Sequence, residues 1–99
     1  MITEKTVTTA HSLAETQKYL DEAIVIVRRK IEYRLKQKGS GLFIDKHQIA
    51  GIIDEELREL KDGVHSNDLA NIESETTDIA VAAIWGLASM IADDPQGGE

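Results

Sequence analysis

Cysteine is absent from the 99 residues, which excludes disulfide bridges and thiolate metal sites and suits a reducing compartment. Proline and phenylalanine occur once each, whereas Ala, Ile, Leu and Glu are abundant, a composition that points to helices. Basic residues are the minority: the net charge is −7, which argues against a nucleic-acid backbone as the main partner. No apolar run reaches the ~20 residues a membrane span needs, and no stretch resembles a signal peptide. A cytoplasmic location without membrane attachment is therefore expected. No Ser/His/Asp set has supporting context, and Gly39-Ser40-Gly41 lacks the glycine spacing and lysine of a phosphate loop. A chain this short forms one small domain with a modest core, which oligomerisation would help.

Helical spacing organises most of the chain. Residues Met1 to His11 are Thr-rich and lack a stripe, so a loosely ordered arm is expected there. Ser12 with Glu15 forms a capping box for a first helix, in which Leu20, Ala23, Ile24, Val27, Ile31 and Leu35 make one seam. Arg34, Lys36 and Lys38 suit the negative end of this helix, which is expected to run to about Lys38, and Gly39 stops it. Gly39 to Ile44 reads as a flexible connector. Asp45 caps a second helix expected to reach about Lys61, with Gly63 helping to end it. A third helix is expected from Ser66 or Asn67 to about Ala92, followed by a disordered tail over 93–99. From Ile79 to Ile91 the third helix is apolar nearly all round, with Val81 and Trp85 opposite Leu87 and Met90. Such a helix is expected to be buried on every face, which a dimer completing a four-helix-bundle-type core would achieve. The fold class expected is all-α, with three main helices over 12–92. Ala82 and Gly86 are expected to keep space open beside Asp78.

The chemistry concentrates between Ile49 and Asp78. Ile49, Ile52, Ile53, Leu57 and Leu60 form an apolar stripe, and Glu56 falls near its middle with Glu59 at its edge. A carboxylate aimed into an apolar interior is costly unless it is paired or binds metal. Glu75 and Asp78 stand about 60° apart on one face of the third helix and flank its stripe. Four carboxylates converging from two helices describe a site for a hard divalent cation such as Mg²⁺, or Mn²⁺. The plainer reading is two solvated acidic faces, and the position of Glu56 weighs against it. Glu55 points off the stripe, either as a surface residue or as a base. Lys38, His47 and Trp85 are the candidates to touch a substrate, each with a plainer role as helix-end charge, cap or core packing.

The segment Glu55-Glu56-Leu57-Arg58-Glu59, fifteen intervening residues, then Glu75-Thr76-Thr77-Asp78 resembles the signature of the all-α nucleoside triphosphate pyrophosphohydrolases, the MazG-like superfamily. The resemblance spans about residues 18 to 92. It implies a homodimer or homotetramer and Mg²⁺ held by Glu56, Glu59, Glu75 and Asp78. It also implies hydrolysis of a nucleotide substrate to the monophosphate and pyrophosphate, with Glu55 or Glu56 orienting the water. Family members commonly carry a Lys and an Asn after the last helix to hold phosphates, and ADDPQGGE here has neither. Two other readings stand beside it: phosphoribosyl-ATP pyrophosphohydrolase, within the same superfamily, and a non-catalytic helical oligomerisation module.

Overall fold

The computed structural model describes residues 10–93. Of the expected N-terminal arm and C-terminal tail, all but Ala10, His11 and Asp93 lie outside the described residues. The described residues form three helices, α1 (Leu13–Lys38), α2 (Lys46–Ser66) and α3 (Leu69–Ala92), without strands.

Local chemistry accounts for the helix ends. At α1 the capping box is complete: Ser12 Oγ accepts from Glu15 N–H at 3.1 Å, and Ser12 N–H donates to Glu15 Oε1 at 2.9 Å. Gly39 ends α1 at φ 83°, a backbone setting that favours glycine. Asp45 Oδ1 accepts from the N–H groups of His47 and Gln48, both at 3.0 Å, to start α2.

The α2–α3 junction differs from expectation. Helix α2 continues through Gly63 to Ser66, and Asn67 stops it in the left-handed conformation at φ 58°, ψ 38°. Asp68, rather than Ser66 or Asn67, caps α3 by accepting from Asn71 N–H at 3.2 Å. Gly63 is a packing glycine: a Cβ there would sit 3.0 Å from Asn71 Nδ2. It lets α2 approach the first turn of α3.

Helix α3 is the centre of the molecule, with both other helices packed against it. Gly63 beside Asn71 and Ile72, and Ile49 beside Gly86, show that α2 runs antiparallel to α3. Lys30 and Arg34 beside Asp78 place the C-terminal half of α1 along the opposite flank. Val27, Lys30, Ile31 and Arg34 are its half-buried face, whereas Leu20 and Ile24, from the same expected seam, are exposed.

Burial of α3 on every face does not occur within one chain. Val81, Ala82, Gly86 and Ser89 are buried, while Ile84, Leu87, Met90 and Ile91 are about half exposed. Val81, at 2 % exposure, packs inside the chain and is not available to a partner. Gly86 leaves no open space either, because a Cβ there would lie 2.8 Å from Ile49 Cγ2. It lets the side chain of Ile49 on α2 pack directly against the α3 backbone. By length and composition alone, α3 could also cross a membrane, with a mean hydropathy of 1.2 over its most apolar stretch. Only 22 % of that stretch is buried. Its carboxylates Glu75 and Asp78 turn toward cations and carboxylates of α1 and α2, as a bundle requires.

Candidate functional site

Antiparallel packing of α2 on α3 carries Glu56 to Glu75 and Asp78. One carboxylate oxygen from each of the three lies within 4.8 Å of the other two. All three residues are half-buried, and Glu56 Oε2 and Glu75 Oε2 are closed off from solvent without a hydrogen-bond partner. Orphaned buried carboxylate oxygens are costly, and a cation is what such oxygens lack. Burial pushes the Glu56 carboxyl above its ordinary value, followed by the charges of Glu59 and Asp78, with Arg34 opposing. Glu75 is pushed up to about 7, first by burial, then by a hydrogen bond with Glu59, then by the charges of Glu59, Asp78 and Glu56.

Glu59 stands outside the trio. Its side chain is exposed at the edge of the stripe, yet it reaches the Glu75 carboxyl. Among the described residues, Asp78 is the one of these four carboxylates with a cation within 4 Å: Arg34 Nη2 lies 3.2 Å and Lys30 Nζ 3.6 Å from Asp78 Oδ1. The carboxylates gathered here outnumber the cations that touch them, which favours a bound cation. The donor set is all oxygen, as Mg²⁺ and Mn²⁺ prefer. An octahedral Mg²⁺ spaces its ligand oxygens about 2.9–4.2 Å apart, so small side-chain movements would bring these three into place. The residues present fit a hard divalent ion.

A cleft of about 320 Å³ opens beside the trio, within the size range of small-ligand sites. Its lining brings together the carboxylates Glu55, Glu56 and Asp78, the cations Arg34 and Lys38, and the rings of Trp85 and Phe43. The connector is tied down rather than loose. Trp85 Nε1–H donates to the Gly41 carbonyl at 2.8 Å, and Phe43 N–H donates to Ser89 Oγ at 3.0 Å. Ser89 Oγ in turn donates to the Trp85 carbonyl at 2.8 Å. Trp85 is thus half-buried in the wall of the cleft, neither core nor free surface.

No family model, curated protein or solved structure matches this chain. The site therefore has to be read from its own geometry.

The structure brings Glu55, Glu56, Asp78, Lys38 and Trp85 to one cleft, with Glu75 behind Glu56 and Asp78. It leaves His47 exposed in the first turn of α2, where its backbone N–H serves the cap and its side chain does not line the cleft. Lys30 and Arg34 are the cations the structure adds beside Asp78, Arg34 having been read from the sequence only as a helix-end charge. Their signal was present: with Val27 and Ile31 they occupy one α1 face at helical spacing, two cations on an apolar seam.

Proposed function

We propose that this chain is a Mg²⁺-dependent pyrophosphohydrolase of nucleoside triphosphates, of the MazG-like kind, working as a homo-oligomer. The observation that carries the reading is the convergence of Glu56, Glu75 and Asp78, two of which, Glu56 and Asp78, line a cleft that also holds cations and an indole ring.

Glu56, Glu75 and Asp78 would hold the ion, with Glu59 in support through its contact with Glu75. A bound divalent ion supplies charge neutralisation for phosphate oxygens and acidifies water. The chain's own residues do the rest. Glu55 lines the cleft without belonging to the trio, so it is the carboxylate free to orient the attacking water and accept its proton. Water oxygen bonds to the α-phosphorus, the bond from that phosphorus to the bridging oxygen breaks, and pyrophosphate leaves with the electron pair. Trp85 and Phe43 offer a flat apolar wall to a base.

The oligomerisation-module reading draws on one observation, the half-exposed Leu20, Ile24, Ile84, Leu87 and Met90. Those residues fit the oligomeric enzyme equally well, whereas the orphaned oxygens of Glu56 and Glu75 have no purpose in a passive bundle.

A pyrophosphate-release screen across the common ribo- and deoxynucleoside triphosphates, with Mg²⁺ or Mn²⁺, tests the proposal. It expects ion-dependent release from at least one of them. No release from any, together with no specific response to Mg²⁺, would leave the oligomerisation module.

A further inference from the structure

Two cations line the cleft, and the reaction as described above does not use them. Arg34 and Lys38 stand four residues apart on one face of α1, and both line the cleft. Arg34 is half-buried yet only lightly held. Among the described residues, the one hydrogen bond of its side chain is the 3.2 Å contact from Nη2 to Asp78 Oδ1. A guanidinium carries five donors in a planar fork, so most of that capacity is unspent. Asp78 Oδ1 is meanwhile claimed twice, because Lys30 Nζ approaches the same oxygen at 3.6 Å.

This pairing conflicts with Asp78 serving as an ion ligand. A divalent ion among Glu56, Glu75 and Asp78 would neutralise Asp78 and repel the guanidinium beside it. Arg34 would then need another anion, and its fork matches phosphate oxygens in a planar, two-point contact that Lys cannot reproduce. Lys38, at the end of the same helix, adds a mobile point charge next to it. Trp85, fixed by its bond to Gly41, comes from α3, so the ring that a base could meet and the two cations of α1 are supplied by different helices.

We propose that Arg34 and Lys38 bind the polyphosphate of the substrate, with Arg34 neutralising Asp78 in the ion-free chain and turning to a phosphate oxygen when the site is loaded. The assignment rests on the metal-dependent phosphohydrolase reading above. It places the phosphate-binding cations on the first helix, before the carboxylates in the chain.

Inorganic tripolyphosphate is the probe, because it carries the charge without a base. Trp85, the single tryptophan of the chain, reports binding in the cleft by fluorescence. In Mg²⁺, Arg34→Gln is expected to weaken tripolyphosphate binding about tenfold or more, the loss typical of one charge-assisted contact. Calorimetry without phosphate should show its Mg²⁺ affinity unchanged or raised, since a competing cation is gone. Arg34→Lys should recover part of the tripolyphosphate affinity. Lys38→Gln lies outside the ion pair, so it should lose affinity at an unchanged melting temperature, which covers the case where Arg34→Gln fails to fold. A folded Arg34→Gln chain that binds tripolyphosphate as tightly as wild type overturns the assignment. So does a fall in melting temperature and Mg²⁺ affinity in Arg34→Gln while Lys38→Gln binds normally, the pattern of a purely structural tie. Failure of the underlying reading looks different: wild type binds Mg²⁺ and tripolyphosphate, yet releases pyrophosphate from no nucleotide.

Discussion

Protonation of Glu75 links the site to the stability of the chain. Its carboxyl is raised from 4.5 to about 7 in the folded state. The folded chain therefore holds more proton than the unfolded one between those values, and stability falls as pH rises through that window. The metal-free protein is expected to melt at a higher temperature at pH 5 than at pH 8. Saturating Mg²⁺ should remove most of that difference, because the ion replaces the proton as counter-charge. Melting curves at both pH values, with Mg²⁺ and with a chelator, check this, and an ion-independent difference would count against a shared site. At this scale the sequence was informative about direction but not about pairing. Glu56 on an apolar stripe was visible as an anomaly, and so was the spacing of Glu75 and Asp78. The claim of Lys30 and Arg34 on Asp78 was not, because spacing within α1 says nothing about which helix it will lie against.

Element boundaries show the same division between local and tertiary causes. The ends set by causes nearby in sequence, the side-chain caps of Ser12 and Asp45 and the positive φ of Gly39, were legible. Gly63 was misleading because a glycine late in a helix reads as a stop, whereas here the missing Cβ makes room for Asn71. Gly86 misled similarly, its role being fixed by Ile49 from another helix. That close approach has a measurable consequence: Gly86→Ala would place a methyl 2.8 Å from Ile49 Cγ2. Overpacking of that kind costs about 1–3 kcal/mol, more than the helix propensity gained from alanine. Chemical denaturation should show this loss, and Ile49→Ala in the same chain should recover part of it. A Gly86→Ala chain as stable as wild type would contradict the close α2–α3 crossing.

At the scale of the whole molecule, three helices leave much apolar surface in water. Ile84, Leu87 and Ile91 make an exposed stripe on α3, and Leu20 and Ile24 extend the α1 seam. Self-association covering these residues is the expectation, and Leu87→Glu should shift the chain toward monomer in light scattering with its helicity retained. A stable wild-type monomer at micromolar concentration would contradict it. The all-α class was readable from composition and periodicity, but a partner surface shows only once the helices are placed. The central claim, that Glu56, Glu75 and Asp78 hold a catalytic ion, is tested most directly by Glu56→Gln. Melting temperature and pyrophosphate release are recorded for it and for wild type across a Mg²⁺ titration. Losing an ion ligand should reduce turnover by at least about 100-fold, while removing one buried repelling charge leaves the ion-free fold as stable as wild type or firmer. Unchanged turnover, or a Glu56→Gln chain destabilised equally with and without Mg²⁺, would contradict the account.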